Sequence, residues 1–156
     1  MRKDDLEEDG VVFKIDFGKV YGHMEWGFLD QALERKGFSF RWRSWMRACL
    51  SSTNYEVMVN GSASKEILFS HFLFTIAVDV LSRMMLIVGA RGLLEGFLIR
   101  SKAKLSHLQF ANDIIFFLRV NMEELQNFRL ILIVFRRISR LKINVNKSTL
   151  SIINMS

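Results

Sequence analysis

The run Phe69–Met85 (FSHFLFTIAVDVLSRMM) constrains this chain more than any other segment. It is apolar on most sides of a 3.6-residue repeat. That predicts a helix buried within a layered domain, not one lying on a surface. Asp79 and Arg83, spaced i, i+4, can pair on its one wet face. The longest stretch without charge, Ile67–Val78, is too short to span a bilayer and contains Ser70 and His71.

The flanking patterns supply the other layers. Val11–Ile15 reads as a short strand with Asp16 directly after it. His23–Lys36 reads as a helix with Trp26, Leu29 and Leu33 on one face and Gly37 just past its end. Phe40–Leu50 reads as a second helix. Trp42, Trp45, Met46, Cys49 and Leu50 form its apolar stripe, and Arg41, Arg43 and Arg47 lie off it. Tyr55, Val57 and Val59 alternate in a strand that ends at Asn60-Gly61. Gly89, Gly92 and Gly96 interrupt the chain. Leu105–Phe110 and Ile114–Leu118 then read as a hairpin around Ala111-Asn112-Asp113. Asn121 and Glu124 form a capping-box pattern before a helix with Leu125, Phe128, Leu132 and Phe135 inward. Strand-like runs Leu141–Val145 and Leu150–Ile153 flank Asn146-Lys147-Ser148. The order predicts an α+β fold: one domain over residues 11–156, preceded by an acidic segment, 1–10.

Composition narrows the class. The chain has 156 residues and no proline, where average usage of about 5% gives roughly eight. With 50% hydrophobic and 24% charged residues, collagen-like, proline-rich and disordered chains are excluded. One cysteine, Cys49, allows no internal disulfide, and its place on an apolar stripe predicts a buried structural thiol. The charged start MRKDDLEEDG is no signal peptide, so a soluble intracellular protein is expected. The net charge of +6 is uneven. Residues 1–124 hold 16 basic and 16 acidic side chains. Residues 125–156 hold only the basic six: Arg129, Arg136, Arg137, Arg140, Lys142 and Lys147. A basic terminal segment suits a polyanion, and equally a solvated helix face.

Two carboxylates stand out by position. Asp16 ends a predicted strand and Asp113 sits in the bend of a predicted hairpin. Either alone is as ordinary as a turn former or helix cap. If the two strands lie side by side, both carboxylates face one spot, and paired carboxylates are ligands for hard cations such as Mg²⁺.

These residues carry a resemblance. Asp16-Phe17-Gly18-Lys19-Val20-Tyr21-Gly22-His23 resembles the DFxKAYDH motif of reverse transcriptases from non-LTR (LINE-type) retrotransposons. Phe110-Ala111-Asn112-Asp113 resembles their FADD or YADD hairpin. WGFLDQALERKGF, RWRSWMRACLSS, VMVNGSASK, HFLFTIAVDVLSRM and LKINVNKS match further segments of that family in order, from about Gly10 to Asn154, in a plant-like form. The resemblance implies a palm-like antiparallel sheet packed on helices, with incomplete fingers and thumb. It implies descent from an RNA-directed DNA polymerase that transfers nucleotides with two Mg²⁺. The implied partners are an RNA template, an RNA–DNA hybrid and a dNTP, with no membrane.

By the same resemblance, Asp16 and the Phe17 carbonyl ligate metal, and Asp113 is the second carboxylate of the hairpin. Tyr21 gates the nucleotide sugar, though by pattern it is equally a core aromatic. Lys147 or Lys142 approaches the triphosphate, and the sequence does not decide between them. Arg41, Arg43, Arg47, Arg136, Arg137 and Arg140 are the candidate nucleic-acid contacts.

The departures from the family fall on the chemistry. Asn112 stands where the family's hairpin has its first Asp, so a neutral amide replaces a carboxylate that faces metal. Roughly a dozen residues of the family's RGxRQGDPLSPxLF segment have no counterpart between Ser64 and His71. Two of the missing prolines belong to that gap. Gly22 replaces an Asp, and Arg140 replaces a Gly. Impaired catalysis is therefore expected. The remaining alternatives are a non-catalytic basic RNA- or DNA-binding remnant, and a pseudogene product without a selected role.

Overall fold

The computed structural model describes residues 10–18, 24–52, 64–99, 103–110 and 113–153. Among these, a four-stranded antiparallel sheet packs on helices, the α+β architecture the sequence predicts. The strands are β1 (Gly10–Asp16), β4 (His107–Phe110), β5 (Asp113–Arg119) and β6 (Thr149–Ile153), in the order β4-β5-β1-β6. Two three-residue strands, β2 (Phe97–Ile99) and β3 (Ala103–Leu105), form a separate hairpin. The helices are α1 (Trp26–Arg35), α2 (Phe40–Ser52), α3 (Ser64–Ala90) and α4 (Met122–Ser139). The expected strand at Tyr55–Val59, the Asn60-Gly61 turn and the segment 1–9 lie outside the described residues.

Period-two alternation decides which face of the sheet meets the helices. Val11, Ile15 and Phe17 point inward from the β1 segment, as do Ile114, Phe116 and Leu118 from β5. The core between the layers is aromatic. Phe128 on α4 packs against Phe13 at 5.5 Å and Phe116 at 4.8 Å between ring centroids. Phe17 meets Phe74 of α3 and, edge-on, Phe135 of α4. Tilted and edge-to-face rings avoid stacking like quadrupole on like.

α3 is the buried helix that its composition predicts, with Leu73, Phe74, Ile76, Ala77, Val78, Leu81 and Met85 inside. It starts at Ser64, five residues before the expected Phe69. His71–Ala90 is long and apolar enough to cross a membrane by length and composition, a test that a core helix also passes. Asp79 on its wet stripe meets Arg83 at 3.1 Å, as expected, and also Lys36 of the α1 end at 2.9 Å. The Lys36 ammonium, before Arg83, holds the Asp79 carboxyl below its usual range.

Several element boundaries differ from the sequence reading. α1 begins at Trp26, not His23, because Glu25 is extended and its N–H donates to the Ser139 carbonyl. α1 ends in a Schellman motif. The Phe38 N–H reaches the Leu33 carbonyl, the Gly37 N–H reaches Glu34, and Gly37 takes φ +88. The β4–β5 hairpin is tighter than expected, since Asp113 is already in β5 opposite Phe110. Ser106 separates β3 from β4 where one run was expected. Leu141–Val145 is not a strand: it makes one bridge, Phe17 with Ile143, before a 3-10 turn at Val145–Lys147. Only half of the capping box forms. The Asn121 side chain accepts from the Glu123 N–H at 2.9 Å, but buried Glu124 accepts instead from the Glu95 N–H, at 3.0 Å.

The largest correction concerns α2. Trp45 is 63% exposed and Arg43 only 7%. The rest of the stripe keeps its expected orientation, with Met46 buried and Trp42 and Leu50 packed on the core. Arg43 is drawn inward by two carboxylates one turn apart on α1, Asp30 at 2.8 Å and Glu34 at 3.0 Å. Cys49 is only half-buried.

Arg140 ends α4 in the left-handed region at φ 59. For a residue with a Cβ this costs roughly 1–2 kcal/mol. Its pairing with Glu25 at 2.9 Å is solvent-exposed, so it offsets little. Arg140→Gly is expected to stabilise the fold by about 1 kcal/mol in urea unfolding. An unchanged or lower midpoint would contradict the strain.

Candidate functional site

Antiparallel register brings the two singled-out carboxylates together. Asp16 and Asp113 are direct partners across β1 and β5. They therefore share the sheet face turned away from the helices, where opposite Cβ atoms lie about 4.5–5.5 Å apart. Phe110 pairs with Asp113 on β4 and is 76% exposed, so a phenyl ring flanks the carboxylates.

The chain after α4 holds this end of β1. The Asp16 carbonyl accepts from the Asn144 N–H at 2.8 Å, and its N–H donates to the Ser148 hydroxyl at 3.2 Å. The Gly18 N–H donates to the Lys142 carbonyl at 3.1 Å. In the bridge so formed, the N–H and carbonyl of Phe17 point away from Ile143, toward the β5 side. The Phe17 side chain itself is buried. Lys142, whose own carbonyl is bonded to Gly18, and Lys147, one residue before Ser148, are both exposed. The choice between them stays open. Asn112 and Tyr21 lie outside the described residues.

A third charged group enters the site. Lys14, two residues before Asp16 and so on the same face, places its ammonium 2.8 Å from Asp113 Oδ2. The hydrogen bond to Asp113, then its charge, raises the Lys14 pKa above the usual lysine range. Period two alone places Lys14 beside Asp16, so this residue was legible in the sequence and was missed.

Among the described residues no group of three or more His, Cys, Asp or Glu side chains is placed to hold a metal ion. Two carboxylates remain, and one already faces an ammonium.

The basic candidates separate into distinct places. Arg41 and Arg47 are exposed on α2, whereas Arg43 is committed to Asp30 and Glu34 and offers no free face. Arg136 and Arg137 are exposed in the last turn of α4, where cations favour the helix dipole with or without a ligand. Arg140 contacts Glu25.

Away from the carboxylates, His107 bridges α3 and β4. Its Nε2 lies 2.7 Å from the Ser82 hydroxyl and its Nδ1 lies 2.9 Å from that of Ser106. Burial pushes its pKa below the ordinary value. The unfolded chain therefore takes up this proton more readily, and stability falls as pH drops through about 6.5. A lower melting temperature at pH 5.5 than at 7.5 is expected, with a shallower dependence in His107→Gln. Equal slopes in the two proteins would remove His107 as the cause.

No protein-family model matches the chain, and no curated protein matches it.

Proposed function

We propose that this chain is a partial palm of a non-LTR retrotransposon reverse transcriptase, able to hold nucleic acid and impaired in nucleotidyl transfer. One observation carries the reading: Asp16 and Asp113 are register partners at the same end of adjacent antiparallel strands. The resemblance implies a palm whose carboxylates face one spot from neighbouring strands, and this pair does so. The two-residue β4–β5 connection and the Phe17 carbonyl turned toward β5 add support.

Impairment follows from the donor set. With Asn112 neutral and Asp113 facing Lys14, the site lacks the negative charge that Mg²⁺ requires. One electrostatic contributor to a transition state is worth about 2.7–4 kcal/mol, or 10²–10³ in rate. What survives is a sheet face with two carboxylates, an exposed ring and Lys14, with Lys142 and Lys147 exposed near the same end of β1.

Primer extension on an RNA template with Mg²⁺ and dNTPs tests the impairment. No extension above that of Asp16→Ala is expected. Clear extension by the natural chain, lost in Asp16→Ala, would show that the site is intact. Binding of an RNA–DNA hybrid that weakens steeply with salt is expected alongside.

A further inference from the structure

α4 is apolar on two opposite faces. Its inner face puts Phe128, Ile131 and Phe135 in the core. On its outer face Met122, Gln126, Leu130, Val134 and Ile138 recur at every fourth position and form one ridge. All five are exposed. The four apolar ones are between 42% and 71% exposed, and Ile133 beside them is exposed as well. Scattered surface apolar residues are ordinary, but a continuous apolar ridge about 24 Å long marks a surface that another element covers.

Charge along the helix is divided by position. Glu123 and Glu124 lie in the first turn, Arg136 and Arg137 in the last. Glu124 is buried and turned to the Glu95 N–H, while Glu95 itself meets Arg119, so Glu123 is the carboxylate that α4 turns outward. Arg137 lies close to four helical turns further on, on the same face, with Arg129 and Arg136 along its flank. Asn127 donates to the Leu93 carbonyl, which brings exposed Leu93 against the acidic half of the ridge.

An antiparallel copy of the same helix complements this face. With a two-fold axis at Leu130, that residue meets its own equivalent. Met122 then opposes Ile138 of the second copy, Gln126 opposes Val134, and Glu123 opposes Arg137, each pair occurring twice. An axis at Val134 would instead crowd Arg136 and Arg137 of both copies together with no carboxylate between them, which like-charge repulsion disfavours. A shallow crossing of about 20° keeps the two helices side by side far enough for the terminal Glu–Arg pairs to meet. An anionic lipid surface fits worse, because Glu123, Gln126 and Asn127 occupy the first half of the face.

We propose that the outer face of α4 is a two-fold interface between two copies of this chain, antiparallel and centred on Leu130. α4 lies on the helix side of the sheet, so the face that carries Asp16 and Asp113 stays open in both copies. The interface uses none of the residues on which the palm reading stands.

Sedimentation equilibrium on the full chain tests it. One helix face is smaller than the roughly 800 Å² per partner of a standard interface, so a micromolar dimer is expected, with a mass of 18.2 kDa in dilute solution rising toward twice that value. Leu130→Glu sits at the axis and counts in both copies, so it is expected to raise the dissociation constant at least about thirtyfold. Because Leu130 is exposed, thermal unfolding of the dilute variant should match that of the dilute natural chain. Glu123→Arg is expected to weaken the dimer about tenfold, and adding Arg137→Glu should restore it. The two changes together oppose the helix dipole more than either alone, so recovery reports the pairing and not helix stability. A chain that stays monomeric far above micromolar concentration would overturn the interface. So would a dimer indifferent to Leu130→Glu, a double variant no better than Glu123→Arg, or a monomer that binds anionic vesicles and loses them on Leu130→Glu. None of these results bears on primer extension, which tests the palm reading separately.

Discussion

Asn112→Asp is expected to tighten Mg²⁺ binding by about 10–100-fold, measured by isothermal titration on the intact chain, because ligand charge sets the affinity of hard-cation sites. The substitution adds a third carboxylate next to Asp113, which already faces Asp16 across the β1–β5 register. Asp16→Asn in the same background should cancel the gain, since one of the opposed pair is then neutral. Lys14→Met should raise affinity in either background. The ammonium 2.8 Å from Asp113 competes with a divalent ion for the same oxygens. No change in affinity on Asn112→Asp would mean that the residue does not face the carboxylate pair, and the palm reading would fall with it.

Phe128→Ala is expected to cost about 3–5 kcal/mol of folding stability. Phe128 is fully buried and is the residue through which α4 meets two strands at once, at Phe13 and at Phe116. The rings around the resulting void are held by the sheet and cannot collapse onto it, which puts the cost toward the upper part of the range. A domain has only about 5–15 kcal/mol in total, so the variant should be close to unfolding at 37 °C. Urea titration followed by far-ultraviolet circular dichroism gives the number. A loss below about 1 kcal/mol would mean that α4 contributes little to holding the sheet.

The part of the fold written in local pattern was legible. β1 and β5 follow from the short apolar runs Val11–Ile15 and Ile114–Leu118, and once those strands pair, the two-residue repeat places both carboxylates on one face. Gly37 marks the end of α1 because only its φ +88 suits the chain reversal. Misread features depend on partners distant in sequence. Apolar spacing cannot reveal that Asp30 and Glu34 draw Arg43 inward or that Trp45 is left exposed. Glu124 leaves its capping role for the Glu95 N–H, a bond across 29 residues. Leu141–Val145 alternates like a strand, but the chain is tied at Lys142 and Asn144 to either side of Phe17 and then turns. Of the candidate site, the two aspartates and their shared face were readable. The Lys14 contact was readable but overlooked.

β6 is the last strand of the sheet and pairs with β1 alone. All five of its residues are exposed, and Thr149-Leu150-Ser151-Ile152-Ile153 carries neither a charge nor a proline. Natural sheets usually blunt such an edge with lysine, a bulge or a covering element. Left bare, it is a template on which a second extended chain can add. An assembly that adds a strand at this edge of the sheet should do so through β6.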